Sequence, residues 1–112
     1  MKIDTREVDD VTVVDMTGRL DTQTSGYAYD EMVRIAKGDT GKVVLNVKNL
    51  EYMSSAGLRV ILTAAKLLQA SAGEMKICEA NGVVKDVLEM SGFDSLVHMY
   101  DDEKDAVAAF AG

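Results

Sequence analysis

Strand-like and helix-like patterns alternate along this chain, and that alternation restricts the folds that it can adopt. Five runs are rich in β-branched residues or alternate apolar and polar residues: Met1–Val8, Val11–Thr17, Lys42–Val47, Glu74–Glu79 and Leu96–Tyr100. Four other segments repeat apolar residues at helical spacing: residues 25–37, 55–72, 82–91 and 102–110. The order ββαβαβαβα requires crossover connections between parallel strands. We therefore predict an α/β fold with a mixed, largely parallel sheet of about five strands and about four helices.

Residues between these elements support the predicted boundaries. Asp9 and Asp10 form a turn pair between the first two strands, and Gly18 is predicted to end the second strand. Asn81 is the predicted N-cap of the third helix. Lys42–Val47 is nearly continuous in apolar residues, which is typical of a central strand covered on both faces.

Length and charge limit the class of protein. The 112 residues, 47% of them hydrophobic, fit one domain over residues 1–112 without linkers or internal repeats. The net charge of −7 disfavours nucleic acid and anionic membrane surfaces as partners. It suits a protein partner with a basic patch, although solubility alone is the simpler explanation of the acidity.

Cysteine content and hydropathy favour the cytoplasm. The single cysteine, Cys78, cannot form an internal disulfide and is expected to lie in the core. The sequence opens without the apolar stretch of a signal peptide, and no stretch is long enough to span a bilayer. We expect a cytoplasmic monomer that does not insert into membranes.

The segment EYMSSAGLRVILTAAKLL, residues 51–68, joins a strand-like run to the second helix. At about 100° per residue, one stripe of this helix is polar throughout: Ser55, Arg59, Thr63 and Lys66. The other side carries the residues expected to pack on the sheet: Leu58, Ile61, Leu62, Ala65 and Leu68. The Ser55 hydroxyl would then be accessible beside the free N–H groups of the first turn, where the helix dipole favours a phosphate.

The residues alone leave two interpretations of this serine open. In the functional one, Ser55 is a phosphorylation site, and Ala56 and Gly57 keep its surroundings open to another protein's active site. A glycine inside a helix costs up to ~1 kcal/mol, which suggests that something approaches it closely. In the simpler one, which the residues alone favour, a serine caps the helix and small residues follow it for packing. We predict that Ser54 is that cap.

Three segments resemble, in order and spacing, the STAS domains of small bacterial anti-sigma factor antagonists, also called anti-anti-sigma factors. VVLNVKNLEYMSSAGLRVIL resembles a strand, loop and helix of that family, and MTGRLDTQT resembles its turn after the second strand. GEMKICEANGVVKDVLEMSGF resembles the strand and helix that follow. The resemblance implies a single STAS-like domain that extends from the first strand to the last helix.

The resemblance also implies a function in partner switching. In such proteins the serine at the start of this helix is phosphorylated by an anti-sigma factor, an ATP-dependent serine kinase with a histidine-kinase-like ATPase fold. The unphosphorylated form binds that anti-sigma factor and frees the sigma factor. Phosphorylation breaks the complex, and a serine phosphatase restores it. On this sequence the phosphorylated serine falls on Ser55, and the family's turn aspartate falls on Asp21.

The chain departs from the family pattern at three positions. The family's acidic residue before the serine is Ser54 here, which leaves Ser54 as an alternative phosphorylation site. The family's second hydroxyl is Ala56, and the glutamate of its turn is Arg19, a change that could alter partner preference. The residues expected to bind the partner are Asp21, Ser54, Ser55, Ala56, Gly57 and Arg59.

Other interpretations of these residues stay open. Asp21 fits a turn-supporting role as well as it fits a partner contact. The stripe from Arg59 to Lys66 can equally be a solvated face. A STAS module can also serve a lipid transporter, a chemotaxis-like relay or a stress-sensing complex without any sigma factor.

The sequence carries no motif of an enzyme or of a metal site. It has no G-x-S-x-G elbow, P-loop or G-x-G-x-x-G pattern. The single histidine, His98, lies in an apolar strand pattern, where it is expected in the core or at a sheet edge. Together with Cys78 it supplies too few ligands for structural zinc. We expect no catalytic activity, no cofactor and no metal.

Overall fold

Five strands and four α-helices make up the computed structural model, which describes residues 1–111. The strands are β1 (Lys2–Val8), β2 (Val11–Leu20), β3 (Lys42–Met53), β4 (Glu74–Cys78) and β5 (His98–Tyr100). The helices are α1 (Ser25–Ala36), α2 (Ser55–Ala70), α3 (Gly82–Met90) and α4 (Glu103–Ala111), and a 3-10 turn covers Phe93–Ser95. This order of elements is the predicted one.

One sheet contains all five strands, in the spatial order β1-β2-β3-β4-β5. β1 and β2 form an antiparallel hairpin, in which Val8 pairs with Val11. β2, β3, β4 and β5 run parallel to one another. The predicted α/β class with a mixed, largely parallel sheet is therefore confirmed. Because parallel strands end at the same edge, the loops that lead into α1, α2 and α3 all lie along one edge of the sheet.

Alternation of side chains along the central strands divides the core into two layers. On one face of the sheet, Leu45 and Ile77 pack with buried residues of α1, α2 and α3. On the opposite face, Val44 and Cys78 pack against Val107 of α4. The position of Cys78 confirms its predicted place in the core. β3 is covered on both faces, as its continuous apolar pattern predicts.

Two strands are longer than the sequence predicts. β2 continues through Gly18 to Leu20, and β3 continues past Val47 to Met53, so the predicted ends at Thr17 and Val47 are wrong. The polar residues of these extensions hide the strand pattern, but the two strands pair with each other there, with two shifts of register. Gly18, with φ of 107°, adopts a backbone conformation that other residues rarely take and absorbs one of these shifts.

The start of β5 and the cap of α3 also differ in detail from prediction. β5 begins at His98 rather than Leu96, because the 3-10 turn and the two residues after it precede the strand. Asn81 does occupy the N-cap position of α3, but its side chain makes no capping hydrogen bond.

None of the helices within residues 1–111 combines the length and apolar character needed to cross a membrane.

An ionic network ties the last helix to the first strands. The Arg6 guanidinium donates hydrogen bonds to Asp15 at 2.7 and 3.0 Å, and it also donates to Glu103 at the start of α4, at 2.9 Å and by a second contact. The Asn46 side-chain amide donates to the same Glu103 carboxylate at 2.9 Å. Glu103 therefore links α4 to β1 and β3 at once.

Candidate functional site

A single residue, Ser54, connects β3 to α2. Its N–H donates to the carbonyl of Leu20 at 2.9 Å, which continues the pairing of β2 with β3. Its Oγ accepts from the N–H of Gly57 at 3.2 Å, and its carbonyl accepts from the N–H of Leu58 at 2.9 Å. The prediction that Ser54 caps α2 is confirmed.

Ser55 is the first residue of α2, and its side chain is exposed. Within residues 1–111 its hydroxyl has no hydrogen-bond partner, in contrast to the capping hydroxyl of Ser54. The N–H groups of Ser55 and Ala56 also lack a protein acceptor in this part of the chain. The geometry therefore places an unengaged hydroxyl beside unpaired N–H donors at the electropositive end of a 16-residue helix.

The predicted polar stripe of α2 lies on the outside of the helix. Ser55, Arg59 and Lys66 are exposed, and Thr63 is half-buried, with its hydroxyl donating to the Arg59 carbonyl at 2.9 Å. On the predicted packing side, three residues are buried and two are half-buried. The buried ones are Ile61, Ala65 and Leu68, and the half-buried ones are Leu58 and Leu62.

Gly57 does not have the predicted role. It is buried, and a Cβ added to it would lie 2.5 Å from Leu20 Cγ and 2.8 Å from the Leu20 carbonyl oxygen. The close approach that the glycine permits is that of α2 to the end of β2, and no partner is needed to explain it. The expectation that Gly57 opens the surface to another protein is wrong, because its Cα faces the interior.

Asp21 lies at the same edge of the sheet, in the loop between β2 and α1. Its carboxylate accepts hydrogen bonds from the N–H of Gln23 at 3.0 Å and of Thr24 at 3.2 Å. Burial disfavours its charged form, but these two bonds, the Thr24 hydroxyl and the nearby Arg19 cation together hold the pKa of Asp21 below its usual range. This geometry accounts for the turn-supporting role of Asp21.

Arg19 lies beside that loop with its side chain exposed. Its guanidinium is 4.5 Å from the centre of the Tyr52 ring, and its Nε is 3.6 Å from Asp21 Oδ2. The cation is thus held by an aromatic ring and a carboxylate of the same chain.

A groove of about 400 Å³ separates the first turns of α1 and α2. Its walls include Tyr29 and Asp30 from α1, and Ala56 and Arg59 from α2. The sequence pattern around Ser55 did not predict the contribution of α1. The helical spacing of α1 could have indicated that Tyr29 is accessible, because Ala28 and Met32 lie on the buried side. Tyr29 lies on the outer side, where it is 46% exposed.

The structure brings five of the predicted partner-binding residues to one edge of the molecule. Those with accessible side chains are Asp21, Ser54, Ser55, Ala56 and Arg59. Gly57 stands apart as a buried spacer beneath them.

The two residues with potential for metal or nucleophilic chemistry lie elsewhere. His98 is exposed on the edge strand β5, so of the two positions expected for it, the core or a sheet edge, it occupies the edge. Burial, followed by the nearby carboxylates of Glu103 and Glu79, raises the pKa of the Cys78 thiol to about 12. Such a thiol stays protonated and unreactive at neutral pH. Residues 1–111 contain no cluster of three or more histidine, cysteine, aspartate or glutamate side chains able to hold a metal ion.

Known families and proteins include sequences similar to this chain. The sequence model of the STAS domain matches residues 2–106. The anti-sigma F factor antagonist of Paenibacillus polymyxa is 38% identical over 98 residues, which are 87% of this chain and 84% of that protein.

Solved structures of similar fold include two anti-sigma factor antagonists. The crystal structure of one from Mycobacterium paratuberculosis superposes with a TM-score of 0.90 at 20% identity, covering 99% of this chain and 94% of that one. The unphosphorylated form of SpoIIAA gives 0.80 at 21% identity, with coverage of 99% and 97%. The phosphorylated form of this Bacillus cell fate determinant gives 0.74 at 19% identity, with coverage of 97% and 99%. These likenesses show a shared fold.

Proposed function

Because the chain belongs to the STAS domain family, among the anti-sigma factor antagonists, we propose that it switches partners through phosphorylation of Ser55. Unmodified, it binds an anti-sigma factor that is a serine kinase with a histidine-kinase-like ATPase fold, and so releases a sigma factor. The kinase transfers the γ-phosphoryl group of ATP to the Ser55 oxygen, which loses its proton as ADP leaves. The modified protein dissociates, and a serine phosphatase returns it to the binding form.

One observation carries this proposal: the Ser55 hydroxyl is exposed and unengaged at the start of α2, within the described residues 1–111. A phosphate there gains the favourable end of the helix dipole and two unpaired N–H donors. We therefore expect the fold to stay the same when Ser55 is phosphorylated. The fold neighbour SpoIIAA has phosphorylated and unphosphorylated forms, which supports the view that this fold accommodates the group.

Ser54 is the weaker candidate for modification, because its oxygen already accepts the Gly57 N–H. A phosphoryl group on this oxygen would disturb the cap of α2. Loss of a serine cap typically costs about 1 kcal/mol of stability. Phosphorylation of Ser54 would thus lower the stability of the fold, whereas phosphorylation of Ser55 changes the charge of the partner surface.

The proposed partner surface is the edge of the sheet around Ser55. Asp21, Ala56 and Arg59 contribute to it, and Gly57 supports it from beneath by letting α2 sit close to Leu20. A phosphate adds about −1.5 to −2 charge to this surface. Acidic groups of a bound partner would repel that charge, and burying it in an interface carries a desolvation cost. These two effects oppose binding once Ser55 is modified.

The test is incubation with a serine-kinase anti-sigma factor and ATP, followed by intact-mass measurement. We expect one added phosphate in the wild-type chain and in Ser54→Ala, and none in Ser55→Ala. The reverse pattern would move the site to Ser54. No labelling of the wild-type chain by any such kinase would instead favour a STAS module of another assembly, such as a transporter or stress-sensing complex.

A further inference from the structure

Arg59 differs from the other arginines in its surroundings. Within residues 1–111, Arg6, Arg19 and Arg34 each form an ion pair with a carboxylate. Arg59 is exposed, and no side chain or carbonyl in that part of the chain accepts a hydrogen bond from its guanidinium. Its five N–H donors, arranged in a planar fork that suits phosphate, are therefore available.

The helix places this guanidinium next to the proposed phosphorylation site. Arg59 follows Ser55 by four residues in α2, and residues at that spacing have Cβ atoms about 5–6 Å apart on one face. An acidic group four residues before a basic one is the favourable order on a helix. Phosphorylation of Ser55 would create that order, because serine itself carries no charge.

We propose that Arg59 is the intramolecular counterion of phosphorylated Ser55. The inference rests on the proposed function and adds a mechanism to it. In the unmodified chain Arg59 lines the groove between α1 and α2, opposite Asp30. Once Ser55 carries a phosphate, the guanidinium pairs with the phosphate oxygens and leaves the groove. Phosphorylation thus removes a cation from the partner surface as well as adding an anion beside it.

Other cations near Ser55 are less suited to this role. Arg19 is held by the Tyr52 ring at 4.5 Å and by Asp21 at 3.6 Å, so a phosphate would have to compete with both. Lys66 lies on the same stripe but eleven residues further along, about 16 Å along the helix axis. Arg19 therefore serves as the matched control for Arg59.

The experiment uses the full chain with phosphoserine incorporated at position 55 during translation, so no kinase is required. The second pKa of the phosphate is measured by ³¹P NMR titration in the parent background, in Arg59→Gln, in Arg59→Lys and in Arg19→Gln. A counterion lowers that pKa, because it favours the dianion. We expect Arg59→Gln to raise it by about 0.3, the value that corresponds to a helix ion pair. Arg59→Lys should restore part of the difference, and Arg19→Gln should leave the pKa unchanged.

The counterion role would be overturned by an unchanged pKa in Arg59→Gln, or by an equal or larger rise in Arg19→Gln. Repeating the titration near 0.5 M salt should shrink the Arg59 effect, since an exposed pair is screened. An effect that persists undiminished would indicate altered local structure and would also contradict the proposal. Because the phosphate is installed without a kinase, failure here leaves the proposed partner switching untouched, and failure of kinase labelling leaves this result standing.

Discussion

Leu20 receives two contacts that fix the start of α2. Its carbonyl accepts the Ser54 N–H at 2.9 Å, and its side chain and carbonyl fill the space where a side chain on Gly57 would lie. The position of the Ser55 hydroxyl thus depends on a residue at the end of β2, 35 positions earlier in the sequence. A serine with small neighbours predicts a cap from local pattern alone, but the contact with Leu20 follows only from the pairing of β2 with β3.

Replacement of Gly57 by alanine tests that contact. Alanine favours helix by up to ~1 kcal/mol, yet its methyl group would lie 2.5 Å from Leu20 Cγ. We expect Gly57→Ala to lower the free energy of unfolding in urea by roughly 1–3 kcal/mol, the usual range for overpacking. Gly26→Ala in α1 is the control, because a Cβ there meets nothing within 4 Å and should stabilise the helix slightly. Equal effects of the two substitutions would show that Gly57 has no packing role.

At the scale of the secondary-structure elements, a charged contact holds the start of α4. Its first residue, Glu103, accepts hydrogen bonds from Arg6 and Asn46. The Arg6 bond is the largest cause that holds the pKa of Glu103 below its usual range, against the opposing effect of burial. A carboxyl group whose pKa is lower in the folded chain stabilises the fold above its unfolded pKa, about 4.3. That stabilisation is lost as the pH falls through the folded value.

Comparison of the wild-type chain with Glu103→Gln should show this dependence. We expect the variant to be less stable in urea unfolding at pH 7, and the difference should narrow as the pH falls below about 4.3. Glu89→Gln, on the exposed side of α3 and without an ion pair in residues 1–111, is the control and should change the free energy of unfolding at pH 7 only slightly. If the difference in free energy of unfolding between the wild type and Glu103→Gln stayed constant from pH 7 to pH 3, the lowered pKa of Glu103 would not contribute to stability.

The elements themselves were largely predictable, because β-branched runs, helical spacing and turn residues agree for most of the chain. The exceptions are the ends of β2 and β3. A continuous apolar pattern is absent from both end segments, Thr17 to Leu20 and Lys48 to Met53. These segments form strands because they pair with each other. Long-range pairing of this kind leaves no periodic signal in either segment. The 3-10 turn before β5 is a second feature that no local pattern marked.

For the whole molecule, partner switching requires that an anion at position 55 leave the fold unchanged. We expect Ser55→Asp to retain the far-UV circular dichroism and the unfolding midpoint of the wild type, because the negative group lies at the favourable end of α2. Ser54→Ala is the comparison, since it removes the capping oxygen and should lower the free energy of unfolding by about 1 kcal/mol. A Ser55→Asp chain that aggregates or loses tertiary structure would refute the tolerance of this helix end.

The candidate site was predictable only in part from sequence. The pattern around Ser54 and Ser55 located the exposed hydroxyl and the cap, because both depend on the local helix start. It could not assign Gly57 to the interior, place Tyr29 and Asp30 beside Arg59, or show that Arg19 is held by Tyr52. These relations arise from strand pairing and helix packing between segments that are distant in sequence.

Calorimetric titration measures whether the Ser55 hydroxyl is the switch. A serine-kinase anti-sigma factor is titrated with two forms of the chain, unmodified and carrying phosphoserine at position 55. We expect the unmodified chain to bind. The phosphorylated chain, equally folded by circular dichroism, should lose at least tenfold in affinity, or about 1.4 kcal/mol. Equal affinity of the two folded forms would contradict the claim that the Ser55 hydroxyl is the switch.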